Sequence, residues 1–396
     1  MKLRLKIHPK RITRNIVFSV VFFALLKPDS LAYLGLGWLD TLLIVCDAFV
    51  LLYFAEELLV RRYRMSHITK CIIAIYLAMT LSTVLVSHDY FTLLKTAGPA
   101  IAMCMFTDHS MQRRPIEYLE ASFNLLALLY TLNLITIILY YPNGMYQTDY
   151  VVGDTYLMGF DNGMIYNFLP LCCYAAIQSY IKDKKLFTRR TIFAFELMLI
   201  SEIYVSSGSG IIQAVLLLLL MLAVDKNLMN HFIKPTIMFL VFYVGTFLIT
   251  ILRIQTYFAD FIIGVLGKDL TMTGRTYLWD YAISSIKENP IIGIGATGRT
   301  VLGINDHYYP HPHCMLLDFL YKGGIIMFFF FVLLTILFII SYKKAESKTL
   351  GNIILITLFV FLVGEMVNSA QYKIFFWGIF VLIGYVNHLE AIRRAG

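Results

Sequence analysis

Residues 324–340 read GIIMFFFFVLLTILFII, and two lysines, Lys343 and Lys344, follow this run almost at once. One helix needs about 20 predominantly apolar residues to cross a bilayer core, and the run lies within a predicted span over 313–341. A chain crosses lipid only as helices or as a closed barrel, and this run is continuous, without the alternation of barrel strands. The stretch therefore predicts a transmembrane helix.

Similar runs recur along the whole chain. Of its 396 residues, 59% are apolar and only 15% are charged, which is more apolar surface than a soluble protein can bury. We predict an all-α integral membrane protein in which residues 1–396 form a single polytopic domain with about twelve spanning helices. No small-residue cleavage site follows the basic segment 1–15, so we expect a retained first helix. The predicted spans are 16–34, 39–60, 69–87, 91–107, 117–140, 160–181, 190–206, 209–225, 232–252, 313–341, 350–368 and 373–391.

The breaks between these spans differ in charge. Most of the 33 Lys and Arg residues fall in alternate breaks, beginning with the N-terminal segment, whereas residues 141–159 contain none. This is the positive-inside bias, and it predicts that both termini lie in the cytoplasm. The net charge of +8 then reflects orientation and contact with anionic membrane lipid. A nucleic-acid partner is not expected, because it needs the basic residues on one face.

One long segment, residues 253–312, separates the ninth span from the tenth and is predicted to be a large extracytoplasmic loop. Part of it has the apolar spacing of an amphipathic helix over 276–289, which ends before Pro290. A tryptophan on this face suggests a helix that lies at the level of the lipid headgroups. The apolar positions are Trp279, Ala282, Ile283 and Ile286.

The start of this helix has the chemistry of an anion site. Arg275 lies at the first turn, where backbone N–H groups point outward. A guanidinium beside such N–H groups binds phosphate through paired, charge-assisted hydrogen bonds. Arg275 is therefore a candidate phosphate ligand.

A glycine motif follows the helix. Residues 293–298 read GIGATG, which matches the glycine spacing of dinucleotide-binding loops, but no βαβ unit surrounds it. The better interpretation is a tight turn in which the backbone closely approaches its neighbours.

Histidines are concentrated at the end of the segment, in the stretch DHYYPHPH at 306–313. One interpretation is a metal site. A second is a polar cap where a helix meets water, and a third makes one histidine a proton acceptor. The residues alone leave these three interpretations open. The metal site would use His307, His311 and His313, with Asp306 or Asp318 as the carboxylate.

Three stretches around these residues resemble the conserved motifs of the O-antigen ligase/polymerase superfamily. They read TGRTYLW at 273–279, NPIIGIG at 289–295 and HCMLLDFLYKGG at 313–324. The resemblance implies a GT-C-like membrane glycosyltransferase that uses no metal or other cofactor and acts on glycans linked to undecaprenyl diphosphate. It also implies a bacterial cytoplasmic-membrane location, and it carries the superfamily's functional arginine and histidine over to Arg275 and His313.

The chain departs from the superfamily pattern at two places. Cys314 stands where an asparagine often follows the histidine, and Ser209-Gly210 stands where many members have Ser-Arg. The second cation for the diphosphate is therefore supplied by Arg253 or Arg299, or it is not needed.

Polar residues in apolar spans are functional candidates, because placing them in lipid is costly. We expect a substrate cavity near the outward helix ends, where His313 orients or deprotonates the acceptor hydroxyl. The candidate lining residues are Tyr309, His311, Asp318, Glu202, Glu365, Asn368 and Gln371.

The expected activity is that of an inverting polymerase for O-antigen, capsule or exopolysaccharide, which transfers a glycan from undecaprenyl diphosphate to the non-reducing-end hydroxyl of another lipid-linked repeat unit. One alternative is an O-antigen ligase, whose acceptor is lipid A-core. An alternative of another class is a flippase for lipid-linked oligosaccharides, although such transporters favour symmetric halves and no inverted repeat is evident. The resemblance suggests a chain-length regulator and a flippase as protein partners.

Overall fold

The computed structural model describes residues 9–60, 62–147, 154–226, 234–258, 271–272, 274–298, 300–303 and 308–395. Helices make up most of these ranges. The first five helices are α1 (Pro9–Leu26), α2 (Gly37–Leu59), α3 (His67–Ser82), α4 (Tyr90–Arg113) and α5 (Pro115–Tyr140). The next five are α6 (Ile165–Asp183), α7 (Arg189–Tyr204), α8 (Gly208–Asp225), α9 (Pro235–Thr250) and α10 (Arg275–Glu288). The last four are α11 (Met315–Lys343), α12 (Lys348–Glu365), α13 (Phe375–Leu382) and α14 (Val386–Ala395).

Short elements connect the helices. A π-helical turn, Thr83–Ser87, extends α3, and a 3-10 turn, Ala370–Tyr372, precedes α13. Two small antiparallel pairs complete the described structure. They are β1 (Thr155–Tyr156) with β2 (Gly159–Phe160), and β3 (Val301–Leu302) with β4 (Tyr308–Tyr309).

Six helical stretches of the described chain are long and apolar enough to cross a bilayer. This result fits the predicted class of all-α membrane protein. Every predicted span also contains part of a described helix, whereas the total of twelve crossings stays a prediction. The six stretches are His67–Ser87, Pro115–Tyr140, Gly208–Asp225, Met315–Lys343, Lys348–Glu365 and Phe375–Ala395.

The helices differ in how much of their surface is buried by the rest of the protein. In α12, 78% of the apolar stretch is buried inside the protein, compared with 39% of the apolar stretches of α5 and α11. α12 packs on α6, α8 and α13, and forms the centre of the helix assembly. Large apolar side chains such as Leu139 and Leu219 remain exposed on outer helices, as expected for surfaces in contact with lipid.

Several helices begin with side-chain caps. Ser66 accepts a hydrogen bond from the N–H of Thr69 at 3.2 Å, at the start of α3. Asp89 accepts one from the N–H of Thr92 at 3.0 Å, at the start of α4. Such caps satisfy N–H groups that have no partner inside the helix, which fixes where each helix starts.

The amphipathic segment before the glycine motif forms α10, one residue earlier at each end than predicted. Asn289 precedes Pro290 and leaves the helical conformation, as the proline demands. The apolar face of α10 packs against protein, including α11. Trp279 is fully buried, with the guanidinium of Arg253 5.0 Å from its ring centroid. Trp279 therefore packs inside the protein, and the expected position of the helix at the level of the lipid headgroups stays a prediction.

Candidate active site

Two helix starts carry the residues that the sequence singles out. Arg275 is the first residue of α10, and His313 lies two residues ahead of Met315, where α11 begins. Because α10 packs against α11, the two starts are close enough for the Arg275 charge to act on His313. The imidazole Nδ1 of His313 lies 3.4 Å from Oδ1 of Asn368, just beyond the end of α12.

His313 is an uncharged base in these surroundings. Burial of the ring lowers its pKa from 6.5 to about 4, and the charge of Arg275 acts in the same direction, whereas the contact with Asn368 opposes both. A neutral imidazole keeps one nitrogen lone pair as an acceptor. At neutral pH the ring is therefore uncharged and can accept a hydrogen bond from a hydroxyl group, while the nearby arginine stays cationic.

The buried imidazole of His313 makes the stability of the fold sensitive to acid. As the pH falls from 6.5 towards 4, the unfolded chain binds a proton that the folded chain does not, so stability is lost. The full contribution is about 3 kcal/mol. We expect a smaller acid-induced drop in melting temperature in His313→Asn than in the wild type. Equal drops in the two proteins, measured in the same detergent, would contradict the low pKa.

The backbone around both side chains is unusual. His313 and Met272 have positive φ angles of 51° and 52°, and Gly274 has one of 81°. For residues with a side chain this left-handed conformation costs about 1–2 kcal/mol. It persists where surrounding contacts enforce it, which is common at functional sites. The carbonyl of Met272 accepts a hydrogen bond from Nη1 of Arg275 at 3.1 Å, which orients the guanidinium.

A second imidazole packs against the first. The ring centroids of His311 and His313 are 4.4 Å apart at an interplanar angle of 72°, and the ring of Tyr309 lies 5.9 Å from His313. His311 also stacks on Tyr372, with a centroid distance of 5.4 Å and an angle of 23°. Burial lowers the pKa of His311 well below its usual value, so both imidazoles are neutral. The result is a compact group of rings on which the charge of Arg275 acts.

A buried polar network adjoins these rings. Asp318 accepts hydrogen bonds from Nε2 of Gln371, at 2.8 Å, and from the hydroxyl of Tyr372. Nζ of Lys322 lies 3.4 Å from Oδ1 of Asp318 and also bonds the Tyr372 hydroxyl. The exposed fractions of Asp318, Lys322 and Gln371 are 1%, 4% and 2%. Asp318 and Gln371 thus contact each other, and their predicted contact with substrate stays a prediction.

Two further candidates lie near Tyr166, a residue of α6 that the sequence analysis did not single out. Tyr166 lies close to Glu365 and Asn368 at the end of α12. It is also near enough to Arg275 to interact with the charge of the guanidinium. The structure therefore brings Glu365, Asn368 and His313 to the same region as Arg275. A tyrosine in an apolar helix carries little signal in a chain that is 15% aromatic, which explains why it was missed.

Glu202 lies at the end of α7, where it is fully buried. Its carboxyl group lies beside Gly210, so that a Cβ added at Gly210 would be 1.8 Å from Glu202 Oε2. Gly210 stands where the superfamily pattern often has arginine, and it leaves room for the carboxyl group of Glu202. Farther along α8, Gln213 approaches Tyr166, since both are within 3 Å of a Cβ built at Gly364. The predicted role of Glu202 in the cavity stays a prediction.

Arg253 contacts α10 near its first turns. Its Nη2 donates to the carbonyl of Thr276 at 3.3 Å and pairs with Asp280, while the guanidinium covers Trp279. The other amino nitrogen, Nη1, is buried and has no hydrogen-bond partner among the described residues. Arg253 thus braces the helix that carries Arg275 and retains one donor.

Three residues named by the sequence analysis lie outside the described residues. They are Arg299, Asp306 and His307. Within the described ranges, no three His, Cys, Asp or Glu side chains are grouped so that they could hold a metal ion. The interpretation of the histidine stretch as a metal site, which depends on residues 306 and 307, is not tested by these ranges.

The loop after α10 is docked into a break in α11. Gly324 has a φ of 60° and a ψ of −160°, which interrupts the helix. The N–H groups of Ile294 and Gly295 donate to the carbonyls of Tyr321 and Lys322, at 2.8 and 2.9 Å. The backbone groups of the loop and of the broken helix therefore satisfy each other away from water.

The π-helical turn after α3 holds the other side of this loop. The N–H of Ala296 donates to Oγ1 of Thr83 at 2.8 Å, and the hydroxyl of Ser87 donates to the carbonyl of Ala296 at 2.7 Å. The loop is thus bound to two membrane helices at once. Because it also continues α10, it fixes the position of Arg275 relative to His313.

The glycine motif is explained by this docking. A Cβ added at Gly293 would lie 2.6 Å from the carbonyl oxygen of Tyr321, and one at Gly295 would lie 2.7 Å from Cα of Thr83. In contrast, a Cβ at Gly298 would meet nothing within 4 Å. The interpretation of the motif as a turn with close backbone approach is confirmed for its first two glycines.

Alanine substitutions at these glycines should show which of them the docked position of the loop requires. Gly293→Ala adds a methyl group against backbone atoms at a φ of 69°, so we expect a loss of about 2 kcal/mol or more. Gly298→Ala is the matched control, and its effect should stay within about 1 kcal/mol. Melting temperatures of the two purified variants provide the measurement. Similar behaviour of the two variants would contradict the docked position of the loop.

The fold and the site define a helical membrane protein with a cation and a neutral base at two neighbouring helix starts. Residues 193–332 match a family model described as O-antigen ligase. This range runs from α7 into α11 and includes both Arg275 and His313. The predicted resemblance to the O-antigen ligase/polymerase superfamily is confirmed.

A shorter likeness connects the chain with a named protein. Over 47 residues, it is 45% identical to the exopolysaccharide production protein ExoQ of Rhizobium meliloti (strain 1021). This stretch covers 12% of the present chain and 11% of ExoQ. It supports the superfamily resemblance over a short range.

Proposed function

We propose that this protein is a membrane glycosyltransferase that extends a polysaccharide carried on undecaprenyl diphosphate. The observation that carries the proposal is that cationic Arg275 lies near enough to neutral His313 for its charge to lower the pKa of the imidazole. A diphosphate donor needs a cation for its leaving group, and a hydroxyl acceptor benefits from a base. The O-antigen ligase match and the likeness to an exopolysaccharide production protein support the same reaction class.

In the proposed reaction, an acceptor hydroxyl attacks the anomeric carbon of the donor from the face opposite the diphosphate. The new glycosidic C–O bond forms as the C–O bond to the diphosphate breaks, and the anomeric configuration inverts. His313 takes the hydroxyl proton, and Arg275 stabilises the charge that the departing undecaprenyl diphosphate gains. Diphosphate is already a good leaving group, so alignment and charge stabilisation supply most of the rate. No metal or cofactor takes part in this scheme.

A second cation for the diphosphate is proposed at Arg253. Its place near the first turns of α10 and its unused Nη1 support this role. Arg299 remains the alternative. Tyr309, His311, Glu365 and Asn368 are proposed to line the sugar-binding part of the cavity, and Glu202 to form its wall near α8.

We favour polymerase over ligase activity, because nothing in the sequence demands a lipid A-core acceptor. The proposed acceptor is the non-reducing-end sugar hydroxyl of another lipid-linked repeat unit. The product then remains attached to its carrier and can be extended again. The reaction is placed in a bacterial cytoplasmic membrane, in a GT-C-like arrangement of about twelve spans with both termini in the cytoplasm. A flippase that delivers the units and a chain-length regulator are the proposed partners.

The direct test uses purified protein in lipid nanodiscs supplied with undecaprenyl-diphosphate-linked repeat units alone. A polymerase makes a ladder of products, each one repeat unit longer than the last. A ligase makes no ladder until lipid A-core is added, and a flippase changes no covalent bond in either case. A single product that appears only with lipid A-core would overturn the polymerase proposal and favour the ligase.

A further inference from the structure

The polar network beside the imidazoles consists of charged groups placed where lipid and protein exclude water. Asp318 and Lys322 are one helical turn apart at the start of α11, and both are almost fully buried. A buried ion pair of this kind contributes little net stability, and apolar replacements of similar volume are often neutral or stabilising. The network therefore calls for an explanation other than stability.

The geometry of the network converges on one phenol. The Tyr372 hydroxyl bonds both Asp318 and Lys322, and Nζ of Lys322 lies 4.7 Å from the centroid of the same ring. The 3-10 turn that carries Tyr372 is held as well, since Nε1 of Trp377 donates to the carbonyl of Gln371 at 2.9 Å. The hydroxyl of Tyr372, its ring and the backbone turn that carries it are therefore each held by a separate contact.

The fixed ring is in contact with the proposed reaction centre. His311 stacks on Tyr372, and His311 in turn packs edge-to-face on His313. A shift of Tyr372 would therefore pass to His311 and from there to His313. Near reacting atoms, a displacement of about 1 Å can cost about a hundredfold in rate.

We propose that Tyr372 is a positioning residue, held by the Asp318–Lys322 pair, that fixes the His311–His313 imidazole pair for glycosyl transfer. The inference rests on the proposed function for its catalytic consequence. It assigns Asp318 and Gln371 to the support of Tyr372 in place of contact with sugar. Tyr372 itself touches neither the donor nor the acceptor.

Two variants release the phenol in different ways. Tyr372→Phe removes the hydroxyl and keeps the ring, and the double variant Asp318→Leu/Lys322→Met removes both charges together, so that no unpaired charge is left buried. In both, we expect kcat for single-unit addition to fall about ten- to a hundredfold, with KM changed by less than about twofold. The double variant should retain a melting temperature close to that of the wild type.

The matched control is Tyr385→Phe. Tyr385 also donates a buried hydroxyl to an aspartate, Asp108, but no ring of the imidazole pair touches it. Its kcat should match the wild type after correction for folded protein. Wild-type kcat in Tyr372→Phe, or parallel losses of kcat and melting temperature in both phenylalanine variants, would overturn the positioning role.

A second measurement does not depend on turnover. Histidine ring signals of ¹³C-labelled protein in nanodiscs, assigned with His311→Gln, should shift or broaden for His311 and His313 in Tyr372→Phe and stay unchanged in Tyr385→Phe. If the wild type makes no polymer, the proposed function fails, but these spectra still test the positioning. Unchanged histidine signals in Tyr372→Phe would sink the inference even if polymerisation is demonstrated.

Discussion

Arg275→Ala should lower the rate of glycan transfer by about 10²–10³-fold while the protein still folds and inserts. The guanidinium is placed at the first turn of α10, where its Nη1 is oriented by the carbonyl of Met272. The charge on a departing diphosphate is larger in the transition state than in the bound donor, so the loss should fall mainly on kcat. Initial rates with a lipid-linked repeat unit provide the measurement.

Two further variants define what Arg275 supplies. Arg275→Lys keeps the charge but loses the planar, paired donors, so we expect an intermediate rate. Lys287→Ala removes an exposed cation from the last turn of the same helix and should leave the rate unchanged. Equal losses in Arg275→Ala and Lys287→Ala would mean that the net charge of α10, and not the placed guanidinium, matters. A wild-type rate in Arg275→Ala would remove the residue from the mechanism.

Local patterns were enough to predict the elements that carry the site. Apolar spacing and Pro290 predicted a helix over 276–289, and α10 spans Arg275–Glu288. The continuous apolar run after Gly324 likewise predicted most of α11. The break at Gly324 was not predictable, because the helix is interrupted by contacts with a loop that lies about 30 residues earlier in the chain. For the same reason the sequence did not indicate that Arg253 covers Trp279, because the two residues meet only in the folded chain.

The sequence predicted only part of the site. Arg275 and His313 stood out through motifs, but the role of Tyr372 depends on contacts between segments more than 50 residues apart. One signal was available: Lys322 follows Asp318 at the spacing of a helical ion pair inside an apolar run. From the sequence, Gly210 was only a departure from the Ser-Arg pattern. The structure shows that the carboxyl group of Glu202 occupies the space beside it.

His313→Asn should reduce glycan transfer by about 10²–10⁴-fold, the range expected when a general base is lost. Asparagine is the informative replacement, because His313 has a φ of 51° and asparagine tolerates this conformation better than alanine does. The variant therefore removes the proton acceptor with little change in backbone strain. Binding of the lipid-linked donor, measured separately, should persist, since the diphosphate is held by Arg275.

The neighbouring imidazole provides the decisive comparison with His313→Asn. His311 is as well buried as His313 but contacts Tyr372 instead of Asn368, and its proposed roles are to line the cavity and to hold His313 in place, not to accept the proton. His311→Asn should therefore lose less activity than His313→Asn, and an added small imidazole should restore turnover only to the variant that lacks His313. Restoration of the His311 variant alone would reverse the two assignments. Full activity in His313→Asn would show that the acceptor hydroxyl needs no base from this residue, and the charge of Arg275 would then have to account for the catalysis.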